Sequence, residues 1–292
     1  EYNLFFPKEH YRGLATGTFV NRNHLAGYLE LCLAVGIGFM IATLKDNAGS
    51  WRDVGRRILE ALLGSKARVR IGLVIMVAAL VMTHSRMGNT AFFASMTITG
   101  VIALILSKRA SKATTILLTS LIIIDLVVVG AFFGVQKVVD RLENTSMQSI
   151  DRDEVVRYSF PLLEDNLLTG TGAGSFYTVF PEKRQDDLGR KSFNHTHNDY
   201  LQFAIEFGLI GFVPLFLAVT LTFLVAVRAQ WKRRDPLMRG LSFASMMGII
   251  AFGIHSTVDF NLQIPANAAT FMVILALGWI SMYHKESSRG SG

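Results

Sequence analysis

Seven apolar runs, each bounded by polar or charged residues, dominate the sequence: 24–44, 69–84, 89–106, 113–135, 200–227, 240–256 and 266–283. Several approach the roughly 20 residues needed to cross the hydrocarbon of a bilayer. Charged residues are only 17% of the chain and hydrophobic ones 51%, whereas soluble domains carry about 25% charged residues. The pattern predicts an all-α fold, a polytopic transmembrane helix bundle of about seven spans. The second run is the weakest, its core IGLVIMVAALVMT being short enough to be re-entrant.

A net charge of +7 invites a nucleic-acid reading. The distribution of that charge argues against it. The segments 45–70, 107–112, 228–239 and 284–292 together hold 17 Lys and Arg, against four in 1–22, 84–88 and 257–265. Seven alternating spans place the basic set in the cytoplasm, so the charge is mostly topogenic and no nucleic acid is expected as a partner. The segment 136–199 falls on the outer side, carries 8 basic and 11 acidic residues, and is long enough to be functional. Within it, SIDRDEVVRYSFPLLEDNLL reads as an amphipathic helix broken near Pro161, and TGTGAGSF as a glycine-rich turn. The chain begins at Glu1 in a polar segment, which suggests a fragment lacking earlier helices. Its single cysteine, Cys32, permits no internal disulfide.

The unusual polar residues collect on the outer side. Asn21, Arg22, Asn23 and His24 come from the first segment, and His84, Ser85 and Arg86 from the turn between spans two and three. The long loop adds Arg152, Arg157, Arg184, His195 and His197, and the last outer turn His255, Asp259, Asn261 and Gln263. On a helix starting near Asn198, Asp199, Gln202 and Glu206 share one face, because offsets of 3 and 7 return to nearly the same direction. Glu206 would then lie about two turns into the membrane, where an ionisable group faces the bundle interior or a wet cavity.

Each feature has a plainer reading. A histidine at a helix start is often a cap or an interfacial residue, and Arg86 alone reads as a snorkelling charge. His195, His197 and Asp199 have no third His or Cys at ligand spacing, so no metal is expected. Gly170, Gly172 and Gly174 follow no strand and read as a turn, not a nucleotide loop. Asp125, inside the fourth run, reads as an interhelical hydrogen-bonding group, with proton relay as the sharper alternative.

Five stretches together resemble the O-antigen ligase/polymerase superfamily of bacterial membrane glycosyltransferases. They are TGTFVNRNHLAGYLE (16–30), SRMG (85–88), DRDEVVRYSFPLLEDNLLTGTGAGSF (151–176), HNDYLQFAIEFGLIG (197–211) and HSTVDFNLQIPAN (255–267). His197, Asn198, Gly208 and Gly211 match the family's His-Asn, nine residues, Gly-x-x-Gly pattern. Met87 departs from the common Ser-Arg-Gly-Gly. Val156 stands where an aromatic commonly follows the loop arginine, so Arg152 and Arg157 both remain candidates for that arginine. Members typically have more than seven spans, which agrees with a fragment.

The resemblance implies a bacterial inner-membrane enzyme with its active side in the periplasm. The chain would divide into the end of a periplasmic segment (1–23), spans one to four (24–135), a large periplasmic loop with short amphipathic helices (136–199), spans five to seven (200–284) and a cytoplasmic tail (285–292). The donor would be a polyprenyl-pyrophosphate-linked glycan, and the acceptor a glycan, lipid or protein hydroxyl, with membrane lipid around both. His197 would be the general base, and Arg86, Arg152 and Arg157 would hold the pyrophosphate. Asn198, Asp199 and Glu206 would orient His197 or the acceptor, with Arg22, Arg184 and His195 as further substrate contacts. No cofactor is needed if arginines supply the charge. Ligase, polymerase and protein-glycosylating readings stay open. So do a transporter of a lipid-linked sugar or other anion, with Asp125 and Glu206 as coupling sites, and a non-catalytic scaffold.

Overall fold

The first apolar run becomes helical at its polar edge. Asn21 takes extended backbone and its side chain accepts the Asn23 N–H at 2.9 Å, capping α1 (Arg22–Ala42). The computed structural model describes residues 2–3, 6–43, 67–106, 119–120, 123, 147–183 and 192–285, with backbone only for 3 and 147–151. Beyond α1 it contains α2 (Ala67–Met82), α3 (Arg86–Leu106), α4 (Met147–Asp165) and a short α5 (Phe176–Val179) continued by a 3-10 turn. Then come α6 (Asp199–Lys232), α7 (Pro236–His255) and α8 (Pro265–Tyr283). Tyr2–Asn3 and Phe6–Pro7 form a two-residue antiparallel ladder at the start of the chain.

Five of these helices, α1, α3, α6, α7 and α8, are long and apolar enough to cross a membrane. Where the second span was expected the chain forms α2, a 16-residue helix packed on α1 through Leu73 and Leu80 and shorter than the five. The expected fourth span, with Asp125, lies outside the described residues but for 119–120 and 123. α7 is central, packing against α1, α3, α6 and α8. Glycine makes its seam with α1 close: a Cβ on Gly38 would stand 2.3 Å from the Gly240 carbonyl oxygen.

α4 corrects one expectation, since it runs through Pro161 to Asp165 without ending there. The proline ring lies on the exposed face, while Val155, Ser159 and Leu162 form the buried one. That face packs with Leu201, Ile205, Phe176 and Phe180 in a small core separate from that of the bundle. Burial of this stripe outweighs the single backbone hydrogen bond that proline removes.

The starts of α1, α3, α6 and α8 and the end of α7 meet at one end of the bundle. Asn267 of α8 donates to the His24 carbonyl at 3.0 Å, and the Leu262 N–H donates to Asp199 at 3.1 Å. The Ala15 N–H donates to the Met82 carbonyl at 3.0 Å, tying the leading segment to the turn before α3.

Beneath this end, Glu30 Oε1 of α1 and His255 Nδ1 of α7 stand 2.8 Å apart, both fully buried. α3 closes over them because Gly88 lacks a side chain: its Cβ would lie 2.6 Å from Ala26 Cβ and 3.2 Å from Glu30 Oε1. Removing one member of a buried pair strands the other, so Glu30→Ala should cost about 3–5 kcal/mol. Replacing both by apolar residues of similar size should recover most of that loss. Thermal unfolding of the detergent-purified variants checks this; a single variant that melts like the parent removes the pair from the list of forces holding α1 to α7.

Candidate active site

The polar face expected on α6 is there, and Asp199, Gln202 and Glu206 are all buried. Asn198 caps the helix by accepting the Leu201 N–H at 3.1 Å, and its amide donates to the Thr257 carbonyl at 3.1 Å. Asp199 Oδ2 accepts from Ser256 Oγ at 2.8 Å and from the Leu262 N–H. These two side chains moor the 256–262 turn to the start of α6. Gln202 donates to Glu206 Oε1 at 3.0 Å and lies 3.1 Å from His195 Nδ1, while its oxygen accepts the Thr196 N–H at 3.3 Å. Glu206 accepts the N–H groups of Gly174 at 2.9 Å and Phe176 at 3.4 Å. Gln202 and Glu206 therefore serve His195 and the glycine turn while Asp199 holds the 256–262 turn, and none of the three hydrogen-bonds His197.

That turn fills a break in α6. Gly208 has φ +59° and ψ −177°, which ends one helix and begins another. A break leaves carbonyls unpaired on one side and N–H groups on the other. The turn supplies partners for both: Thr171 and Gly172 donate to the Ile205 and Glu206 carbonyls, each at 2.9 Å. The carbonyls of Leu167 and Leu168 accept from Leu209 and Ile210 at 2.8 and 3.1 Å. The backbones approach so closely that a Cβ on Gly170 would lie 2.4 Å from the Glu206 carbonyl oxygen. Gly170, Gly172 and Gly174 all have positive φ, as a turn requires.

Three imidazoles surround Phe260. His195 stacks on it at 4.2 Å between ring centroids, while His24 and His197 approach edge-on at 4.7 and 5.0 Å. His24 Nε2 lies 3.9 Å from Asp259 Oδ1. His197 has φ +57°, an uncommon conformation for a residue with a Cβ, and its Nδ1 is buried without a hydrogen-bond partner. Burial first, and the Arg152 guanidinium second, push its pKa down to about 4, against the opposing pull of Asp259. Burial also lowers the His195 pKa, opposed by its hydrogen bond to Gln202 and the charge of Glu206. Both rings are thus neutral at pH 7 and able to accept a proton.

The arginines are gathered unequally. Arg22, at the first turn of α1, is half-buried with its guanidinium 5.7 Å from the Tyr11 ring centre, and lies in electrostatic range of both Arg86 and Arg152. Arg152 also acts on His197. Arg157 is exposed, and five residues further along α4 it points about 140° away from Arg152. Arg184 lies outside the described residues. Among the described residues, no group of three or more His, Cys, Asp or Glu is placed to hold a metal. Sequence reasoning noted His24 and Asp259 without giving them a place in the site, and passed over Phe260 and Glu30. Glu30 had a signal, an acid inside a span; Phe260 had none beyond its position in the HSTVDF stretch.

An all-helical, multi-pass membrane protein with histidines and arginines gathered at one end of the bundle is the class that fold and site define. The family model for O-antigen ligase matches residues 71–216, half of the chain, and the chain belongs to that family. The matched region takes in α3, α4, the glycine turn and the first half of α6 with His195 and His197. No curated protein matches the chain. Membership makes this a membrane glycosyltransferase of the ligase/polymerase type.

Proposed function

We propose that the protein moves a glycan from a polyprenyl-pyrophosphate donor to an acceptor hydroxyl at the periplasmic face of the bacterial inner membrane. The observation that carries this reading is the pairing of a neutral, unpartnered imidazole, His197, with the cations Arg152, Arg22 and Arg86. The acceptor oxygen attacks the anomeric carbon as the bond to pyrophosphate breaks. The hydroxyl proton passes to His197, and the lipid pyrophosphate leaves with its charge held by the arginines. Guanidinium forks suit this load because each offers paired N–H donors to phosphate oxygens, so no metal is required. Asn198, Asp199 and Glu206 act on the site indirectly, through the 256–262 turn and the glycine turn. His195 is a second acceptor-side contact, and Arg157, exposed on α4, stands further out. The strong Lys and Arg bias of the opposite loops supports the periplasmic orientation.

The test uses the full-length gene in its native host, with polyprenyl-pyrophosphate glycans profiled by mass spectrometry. Arg152→Ala should lower turnover by about 10²–10³-fold, the usual cost of one charge-stabilising donor, and cause donor to accumulate. Arg157→Ala should change turnover far less. Accumulated single repeat units would indicate a polymerase, and long chains a ligase. If neither variant changes the profile while both are made and inserted, the enzyme reading fails and transport of the lipid-linked sugar moves ahead.

A further inference from the structure

The bond pattern at the break in α6 has a second meaning, because the turn that fills it also carries apolar side chains outward. Leu168 is 63% exposed and Ile210, whose N–H it accepts, 67% exposed. Leu167 and Leu209, the neighbouring bonded pair, are exposed as well, as is Phe160 on α4. In water these would be a cost with no return. Their height along α6 supplies an explanation. The uncharged stretch Leu209–Val227 is 19 residues, about 28 Å of helix, and the hydrocarbon core is about 30 Å thick. With Arg228 at one boundary, Leu209 and Ile210 stand at the other. Beyond them along α6, Val213, Leu215, Phe216 and Leu217 are exposed in the same way, on a helix long and apolar enough to span.

We infer that the Leu167–Leu168 segment is a lipid-contacting lip, inserted at the bilayer boundary beside Leu209 and Ile210. Its occupant is the acyl and interfacial layer of the membrane, continuous with the lipid face of α6. The hydrogen bonding agrees with this. A broken helix in water can leave its end groups to solvent, whereas at the edge of hydrocarbon each unpaired group is costly. Here four such groups are satisfied by protein backbone, two donors and two acceptors from one short turn. The lip fixes the height of α4 over the membrane, and with it the height of Arg152.

The experiment is site-directed spin labelling of the full chain in proteoliposomes, in a Cys32→Ala background that removes the single native cysteine. Nitroxides are placed by Leu168→Cys, by Leu217→Cys as the lipid-facing reference and by Asp153→Cys as the water-facing one. Collision rates are measured with oxygen, which concentrates in lipid, and with a water-soluble nickel chelate. The label at 168 should favour oxygen over nickel, ranking with 217 and opposite to 153. A nickel-accessible label, as at 153, overturns the inference. A label that neither reagent reaches also overturns it, since protein would then cover the lip. Neither result bears on catalysis, because no variant touches the histidines or arginines of the site.

Discussion

Replacing His197 by alanine is expected to lower kcat by about 10²–10⁴-fold, the usual contribution of a positioned general base. The left-handed backbone at this residue, φ +57°, complicates that substitution, since alanine there carries about 1–2 kcal/mol of strain. His197→Asn is the better variant, because asparagine adopts this conformation more readily yet has no basic nitrogen. Both should be inactive while the asparagine form keeps the parent's melting temperature. An asparagine variant that turns over normally would remove His197 from the chemistry. The pH profile gives an independent check. With the imidazole pKa held near 4 by burial and by Arg152, kcat/KM should stay flat through neutrality and fall only as pH approaches that value. In the donor complex proposed above, pyrophosphate would neutralise Arg152, so the acid limb of kcat should lie at higher pH than that of kcat/KM. Arg152→Ala should move the free-enzyme limb upward for the same reason. Stability follows the same sign. Between about 4 and the ordinary 6.5, the unfolded chain binds a proton that the buried ring refuses, so stability falls as pH falls through that window.

Gly208→Ala is the substitution expected to harm the fold most. Its backbone, φ +59° and ψ −177°, lies in a region essentially reserved for glycine, costing about 1–3 kcal/mol for any other residue. The added Cβ would also stand 2.3 Å from the Leu168 carbonyl oxygen and 2.5 Å from the Gly170 nitrogen. Both are backbone atoms that cannot rotate aside, so relief requires withdrawing the glycine turn and losing the bonds that close the break. A loss of more than about 4 kcal/mol, or no folded protein after extraction, is expected. Gly172→Ala is the control: φ is +105° but nothing lies within 4 Å of its Cβ, so strain alone should act. Size-exclusion profiles and melting curves in detergent compare the two. Equal, mild losses would mean that the turn and α6 do not depend on this close approach.

The helices were legible because burying apolar runs in lipid leaves few alternatives to helix, and the Asp199, Gln202, Glu206 face because spacing alone decides it. The destination of that face was not legible. Whether Gln202 meets His195 or His197 depends on where the preceding residues turn, which no periodicity records. Arg152 and Arg157 looked equivalent in sequence, and they part only because Val155, Ser159 and Leu162 commit one face of α4 to Leu201 and Ile205. Pro161 misled in the other direction, since a local rule for breaking helices gave way to tertiary burial. Gly208 shows the converse: in sequence it stood only as a member of the Gly-x-x-Gly pattern, and the break it makes is completed by a distant turn that no periodicity records.

Four helices, α1, α3, α6 and α8, begin at the end of the bundle where the arginines gather. Each helix start carries roughly half a positive charge from its aligned peptide dipoles, offset only in part by the opposite charge at the ends of α2 and α7 there. Insertion keeps short segments on the outer face poor in Lys and Arg, yet the pyrophosphate proposed to bind there would need positive potential. Peptide dipoles would ease that conflict, because they attract an anion without being counted as charges when the chain chooses its direction across the membrane. On the proposed function, a polyanion would then be held on the side where the short segments stay sparing with cations.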